Sequence, residues 1–183
     1  MRFFVRFMTK IEYVGKCLLI ESAGKKILVI GDLHLGYEEA LNQSGVFISR
    51  EMFKETIDYL NIVFKKVGKV DFVALLGDVK HNFGGILRQE FNDVIKLISY
   101  LKKKLKEKGK IVIIKGNHDA ILEPIVRKQD VELKNYFVCG EFCFLHGDRD
   151  FKEIHDKKIK YWILGHGHPA VKISDNVKVE KYK

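Results

Sequence analysis

The sequence has few of the residues that cross-link or segment a chain: 183 residues include three cysteines and two prolines. An odd, low number of cysteines argues against a disulfide framework and fits a reducing cytoplasm. Repeats and low-complexity tracts are also missing, and Pro124 and Pro169 mark no linker. We therefore expect one domain over residues 1–183, which at this length buries about 70% of its unfolded surface without staples.

Long apolar runs are missing as well. The first ten residues, "MRFFVRFMTK", are basic and apolar, but their longest uncharged run is three residues. That is too short for the apolar region of a signal peptide, and no later stretch approaches the length of a membrane span. The sequence therefore predicts a cytoplasmic protein without a membrane segment. The alternation of Phe3, Val5 and Phe7 predicts a first strand instead.

Charge of one sign is in excess. Lys and Arg number 33 against 24 Asp and Glu, which gives a formal charge of +9. A basic balance favours polyanionic partners such as DNA or RNA. However, six lysines lie in "LKKKLKEKGK" (101–110), at the end of a predicted helix where cations suit the helix dipole. Lys and Glu abundance also resembles thermophile composition, so net charge is a weak indicator of nucleic acid.

Apolar periodicity predicts strands that alternate with helices. The predicted strands and hairpins lie at 16–22, 25–31, 71–77, 110–116, 136–147, 161–165 and 171–180, the last turning at Asp175–Asn176. One helix follows Ser49, its candidate N-cap, and ends at Gly68; a second, longer helix begins at Leu87 and ends near Gly109. This order predicts an α/β sandwich whose central sheet is covered on both faces and made mixed by the later hairpins.

Polar residues follow five of the apolar strands. The five segments are Gly31-Asp32-Leu33-His34, Gly77-Asp78 with His81 three residues on, Gly116-Asn117-His118-Asp119, His146-Gly147-Asp148 and Gly165-His166-Gly167-His168. Because ligands of α/β sheets lie outside the carboxyl ends of the strands, we expect these side chains to meet at one edge.

Each of these segments alone has an ordinary explanation. Asp32 and His34 could cap a turn, Gly77-Asp78 is a common turn, and His166 and His168 could be neighbours in a surface hairpin. Together they form a donor set of carboxylate, amide and imidazole groups without a thiolate, which suits Mn and similar divalent metals. So many donors favour two ions, and two ions can activate a water and stabilise displacement at phosphorus.

This order of motifs resembles the calcineurin-like metallophosphoesterases, from Gly31 to His168. The resemblance implies a four-layer α/β sandwich with mixed central sheets and a di-metal site. It implies that one ion is held by Asp32, His34, Asp78 and His168. It implies that the second is held by Asp78, Asn117, His146 and His166. His118 would be a catalytic acid or phosphate contact, and the two ions would be Mn, with Fe, Zn, Ni or Mg as alternatives.

His81 narrows the resemblance, because many family members have Asp at this position. The His version looks like the DNA nucleases of the SbcD type, and "GDLHLGYEEAL" with "GHGHP" resembles small archaeal SbcD-related and ligase-associated phosphoesterases. This implies that His81 contacts the substrate phosphate. The full repair nucleases add a capping domain and a helical tail, and we expect neither in a chain of this length. Lys80, Asn82 and Arg149 lie beside the motifs and could also contact phosphate.

The resulting hypothesis is a metal-dependent phosphodiesterase or nuclease that hydrolyses nucleic acid or nucleotides through a metal-activated hydroxide. The alternatives are a small-molecule phosphodiesterase or phosphatase, for example on cyclic nucleotides, and a non-catalytic scaffold on the same fold. A scaffold should lose metal or acid residues, whereas His118 and all seven ligands are present. Cys139 and Cys143 could form a metal or redox pair, but their aromatic neighbours favour a buried structural role.

Overall fold

The structure is a computed structural model that describes residues 9–119, 121–167, 171–174 and 179–182. The strands are β1 (Lys10–Val14), β2 (Cys17–Ser22), β3 (Lys25–Ile30), β4 (Val70–Leu75), β5 (Leu105–Ile114), β6 (Glu132–Lys134), β7 (Tyr136–Cys139), β8 (Phe142–Leu145), β9 (Tyr161–Leu164), β10 (Val171–Ser174) and β11 (Val179–Tyr182). The helices are α1 (Tyr37–Gln43), α2 (Met52–Val67), α3 (Arg88–Lys102) and α4 (Glu123–Lys128), with a 3₁₀ turn at Lys152–His155. The strand predicted around Val5 and the turn at Asp175–Asn176 lie outside the described residues.

The main sheet has six strands in the order β1-β2-β3-β4-β5-β6. β1, β2 and β3 pair antiparallel, whereas β3, β4, β5 and β6 pair parallel. The sheet is therefore mixed because β1, β2 and β3 pair antiparallel. The sequence predicted that the later hairpins would make this sheet mixed, but they do not join it. They form two separate sheets, β7-β8-β9 and β10-β11. The parallel strands deliver their carboxyl ends to one edge of the main sheet.

The two faces of the main sheet are covered by different layers. On one face, apolar residues of α2 and α3 such as Leu60 and Leu97 pack in one cluster with Val73 of β4. On the other face, Phe144 of β8 packs in a cluster with Ile27 of β3. The far side of the β7-β8-β9 sheet packs against the 3₁₀ turn. Helices, sheet, sheet and 3₁₀ turn form the expected four-layer α/β sandwich, and the prediction of a sheet covered on both faces is confirmed.

The boundaries of both long helices differ from the prediction. α3 ends at Lys102, and Leu105 begins β5 opposite Val70 instead of continuing the helix. The register then shifts, so that Phe72 pairs with Lys110. Leu105 had the spacing of the helical face, but in its strand position it is partly buried and packs against the same core cluster.

Ser49 is not the cap of α2, which begins at Met52. The carboxylate of Glu38 on α1 accepts hydrogen bonds from the backbone N–H groups of Glu51 and Met52, both at 3.0 Å. A residue distant in sequence therefore satisfies the first donors of the helix. The predicted end at Gly68 is confirmed, with φ at 69°. Among the described residues, no helix has the length and apolar character needed to cross a membrane.

Candidate metal centre

Five strand ends converge at the carboxyl edge of the main sheet. Asp32 and His34 follow β3, Asp78 follows β4, Asn117 and His118 follow β5, His146 follows β8 and His166 follows β9. β8 and β9 belong to the second sheet, so the site lies where both sheets end. His168 lies outside the described residues.

Backbone hydrogen bonds join the loops after β3 and β4. His34 N donates to the carbonyl of Asp78 at 2.8 Å, Leu35 N to that of Val79 at 2.9 Å, and His81 N to that of Leu35 at 3.0 Å. The two loops therefore continue the parallel pairing beyond the strands, and the positions of the acidic and imidazole side chains that they carry are fixed relative to each other.

Asp78 is the centre of the arrangement. Its carboxylate belongs to one group of donors with Asp32 and His34 and to a second with His146 and His166. Within each group the donor atoms lie within 4.8 Å of one another, and Asp78 is only 2% exposed. A buried carboxylate needs positive or hydrogen-bonding partners, and one shared by two donor groups fits a site for divalent metal.

The hydrogen bond of His146 at Nδ1 leaves its other ring nitrogen, Nε2, to face the donor groups. Its Nδ1 lies 2.7 Å from the carbonyl oxygen of Leu76 and must donate to it, which leaves Nε2 of the neutral ring without a proton. That Nε2 faces the side-chain oxygen of Asn117 at 3.0 Å, a carboxylate oxygen of Asp78 at 3.4 Å and Nδ1 of His166 at 3.1 Å. Oxygen and imidazole donor atoms thus converge at one buried point. The donor set therefore fits a divalent metal.

Two glycines allow this close approach. A Cβ on Gly116 would lie 2.3 Å from Oδ1 of Asp78, and one on Gly77 would lie 2.5 Å from Nδ1 of His146. Gly77 also has φ at 88°, which other residues rarely adopt. Glycine at positions 77 and 116 is therefore a steric requirement of the site.

His118 and His81 lie beside the two donor groups. The backbone N–H of His118 donates to Oδ1 of Asp78 at 3.1 Å, and its ring Nδ1 hydrogen-bonds the carbonyl oxygen of His81. Nε2 of His118 faces Oδ2 of Asp78 at 3.8 Å. His118, His81 and His34 also form a third group of donor atoms within 4.8 Å of one another. The imidazole of His81 is therefore placed either to bind a metal ion or to contact the substrate.

Burial favours the neutral form of the imidazoles of His34 and His81. It is the largest cause that lowers the pKa of both His34 and His81 below the usual histidine value, and the neighbouring His118 lowers both further. The buried Nδ1 of His81 has no hydrogen-bond partner among the described residues. Neutral imidazole is the form that binds metal or accepts a proton.

The structure adds Glu90, which the sequence did not single out. This fully buried residue of α3 accepts backbone hydrogen bonds from His81 at 3.2 Å, Asn82 at 2.7 Å and Leu87 at 2.8 Å. It thereby fixes the loop that carries His81 and the first turn of α3. Its place on a helix without any motif gave no signal of this role.

Asp119 ends the Gly-Asn-His-Asp motif but faces the backbone. Its carboxylate accepts hydrogen bonds from the N–H groups of Val79 and Gly116, both at 3.1 Å. Burial raises the pKa of Asp119 above the usual aspartate value. Asp119 therefore ties the loop after β5 to the loop after β4.

The neighbouring candidates for phosphate contact differ in exposure. Lys80 is fully buried, and its ammonium donates to the carbonyl of Asn82, so it does not point to solvent. Arg149 is exposed and lies 3.4 Å from the carboxylate of Asp148. Cys139 and Cys143 are free thiols in neighbouring strands, and burial raises the pKa of Cys143 to about 11, as expected of a structural residue.

Comparisons with known proteins give the family and the fold. Residues 25–168 match the family model described as calcineurin-like phosphoesterase. A solved structure, the Pseudomonas putida nuclease MPE, is similar with a TM-score of 0.56 and 19% identity, over 84% of this chain and 74% of that chain. At this identity the likeness shows a shared fold. No curated protein matches the chain. The chain thus belongs to the calcineurin-like phosphoesterase family, and is a hydrolase of phosphoester bonds that depends on divalent metal.

Proposed function

We propose that the protein is a two-metal phosphodiesterase that acts on nucleic acid or nucleotides. The observation that carries the proposal is the shared use of Asp78, whose buried carboxylate is common to two donor groups. A single ion would leave one of these groups as unpaired acceptors at the same edge. Two ions bridged by Asp78 would neutralise both groups.

The proposed ligands divide as the resemblance implies. Asp32, His34 and Asp78, with His168, would hold one ion. Asp78, Asn117, His146 and His166 would hold the other. When bound, the two ions would activate a water for attack at phosphorus and neutralise the charge that develops on the phosphate. Mixed oxygen and imidazole donors favour Mn²⁺.

His118 is proposed to assist the leaving group. The carbonyl of His81 fixes the proton on Nδ1, so any second proton is carried by Nε2, which faces the Asp78 side of the site. A proton held there can be given to a departing sugar oxygen. His81, 5.5 Å from His118 between ring centroids, is proposed to contact the phosphate.

The diester and nucleic acid assignment has three supports. The chain carries a formal charge of +9, and the similar Pseudomonas putida structure is described as a nuclease. His81 adds a third, because the family resemblance associates this residue with nucleases. A small cyclic nucleotide remains the alternative substrate. The presence of the whole set of donor residues argues against a scaffold without activity.

The metal proposal is tested on the Asp78→Ala variant. We expect two Mn²⁺ per wild-type chain by elemental analysis, loss of turnover on chelation and recovery on adding Mn²⁺. Asp78→Ala should lose both ions and turnover of bis-p-nitrophenyl phosphate. Asp150→Ala removes an exposed carboxylate that pairs with His155 at 2.8 Å, and should change neither quantity. Undiminished turnover of metal-free protein would refute the proposal.

A panel of substrates assayed with Mn²⁺ tests which class of phosphoester the protein hydrolyses. We expect turnover of bis-p-nitrophenyl phosphate and DNA to exceed that of p-nitrophenyl phosphate, because the proposed enzyme is a diesterase. Good turnover of 2′,3′-cyclic nucleotides with no nuclease activity under any metal would show instead that the protein is a small-molecule phosphodiesterase.

A further inference from the structure

Four aromatic rings form a row across the candidate site. Tyr37 and His81 lie 4.8 Å apart between ring centroids, His81 and His118 lie 5.5 Å apart, and Phe83 and His118 lie 3.5 Å apart. We call Tyr37, His81, His118 and Phe83 the aromatic row. The two inner rings face the donor groups, whereas the outer rings of Tyr37 and Phe83 are 45% and 58% exposed.

The backbone around the row is fixed. Tyr37 N donates to the carbonyl of His34 at 3.2 Å and begins α1, and His81 N donates to that of Leu35. Glu90 holds the backbone of His81 and Asn82, one residue before Phe83. Rings on such a rigid base can bind a planar ligand with little loss of entropy.

Exposed aromatic rings of this kind have a clear chemical partner. Single exposed apolar residues are ordinary, but here two rings extend a row of histidines that faces the proposed phosphate position. Nucleobases have flat π faces, and proteins that bind unpaired strands stack them on aromatic side chains. Gly84 and Gly85 follow Phe83, and a Cβ at either would meet no atom within 4 Å, so the loop after Phe83 is not packed against other residues at these two positions.

We propose that Tyr37 and Phe83 form a base-stacking clamp that receives the two unpaired nucleotides on either side of the scissile phosphate. The substrate class would then be single-stranded nucleic acid or single-stranded ends. A base in a duplex is already stacked and paired, and would have to leave the helix to reach either ring. This inference rests on the proposed diesterase function and adds the group that the enzyme recognises besides phosphate.

The test compares an oligothymidylate with an oligomer of equal length built from abasic tetrahydrofuran residues, both with Mn²⁺. We expect KM to be lower for the oligothymidylate. Phe83→Ala and Tyr37→Ala should each raise its KM about 5- to 150-fold, the range for loss of one base stack. KM for the abasic oligomer should not change. Phe83→Trp should keep the low KM, and Tyr13→Ala, which removes an aromatic ring that is 81% exposed on β1, should have no effect.

Two outcomes would overturn the clamp. One is equal KM for both oligomers with the wild-type protein. The other is an equal loss of turnover on both oligomers in Phe83→Ala, which would mean that Phe83 only supports His118. Anisotropy of labelled oligomers in Ca²⁺ separates binding from chemistry. Tighter binding of the oligothymidylate without turnover of any diester would support the clamp and refute the proposed function.

Discussion

Four of the proposed ligands have left-handed backbone conformations. Asp32, His34, Asp78 and His166 have φ between 45° and 57°. Residues other than glycine pay roughly 1–3 kcal/mol for such conformations, which persist only where surrounding contacts impose them. Here the contacts include the bond from His34 N to the carbonyl of Asp78 and the bond from His166 N to Oδ1 of Asp32 at 3.2 Å. At each of these positions the chain turns sharply just after a strand, and the side chain belongs to a donor group.

His118 gives the first prediction at this scale. His118→Ala should retain both metal ions but lose roughly 10²–10⁴-fold in turnover of natural diesters, because a sugar oxygen needs a proton as it leaves. The loss should be smaller on p-nitrophenyl esters, whose leaving group is stable as an anion. Steady-state rates on both substrate types, with metal content as control, measure the difference. An equal loss on both would make His118 a positioning group, and lost metal would make it a ligand.

His81 gives the second prediction at the scale of single residues. His81→Ala should keep both ions and lose diesterase activity, with simple monoesters less affected, if the ring contacts the substrate phosphate. Metal content and the ratio of diester to monoester turnover are the measurements. The proximity of His34 and His118 makes the opposite result informative. Loss of metal with equal loss on all substrates would show that the imidazole is a ligand.

At the scale of elements, α3 acts on the site through Glu90. A Cβ on Gly36, which has φ at 90°, would lie 2.1 Å from Cγ of Glu90. The helix therefore touches the loop after β3, and its carboxylate holds the loop after β4. One helix thus contacts the residue before Tyr37 and holds the loop that carries His81 and Phe83.

Glu90→Ala should lower both stability and activity. It leaves the part-buried N–H groups of Asn82 and Leu87 without their acceptor, whereas His81 N keeps the carbonyl of Leu35, and each unsatisfied group costs about 1–3 kcal/mol when water cannot replace the bond. We expect a lower free energy of unfolding in urea and a raised KM for diesters. Glu90→Gln keeps the size of the side chain and one acceptor oxygen, and should therefore lose less stability and less activity than Glu90→Ala. Unchanged stability in Glu90→Ala would show that water replaces the carboxylate.

At the scale of the whole molecule, much of the positive charge is remote from the site. The lysines of 101–110 surround the start of β5, whereas Asn117 and His118 follow its end. Several of these lysines are also paired, with Lys106 2.7 Å from Asp71 and Lys110 2.7 Å from Glu132. The formal charge of +9 thus overstates the charge available to a substrate at the metal centre.

The salt dependence of kcat/KM should reflect this distribution of positive charge. For a single strand that makes three phosphate contacts, kcat/KM should fall roughly 20-fold between 50 and 200 mM salt. A cyclic nucleotide should show a much shallower slope. The double variant Lys106→Ala and Lys108→Ala should leave the slope for DNA unchanged, because both residues lie at the opposite edge of the sheet from the site. A shallower slope in that variant would extend the binding surface to this edge.

The sequence by itself determined the fold class, the candidate donors and their common edge. Buried parallel strands read as apolar runs, and "ILVIGDLH" and "IVIIKGNH" show where each run ends in ligand types. Since parallel strands end at the same edge, the clustering of Asp32, Asp78 and Asn117 followed from the pattern alone. The ligand assignment itself stays a prediction for the metal experiment to test.

Tertiary structure decided what local periodicity could not. Leu105 has helical spacing, yet pairing with Val70 places it in a strand. Lys80 could have been a loop residue open to phosphate, yet the loops around it bury it. Glu90 and Phe83 acquire their roles from contacts with residues eight or more positions away, such as Asn82 and His118. Such contacts leave no periodic trace in the sequence, because they depend on how separate elements pack.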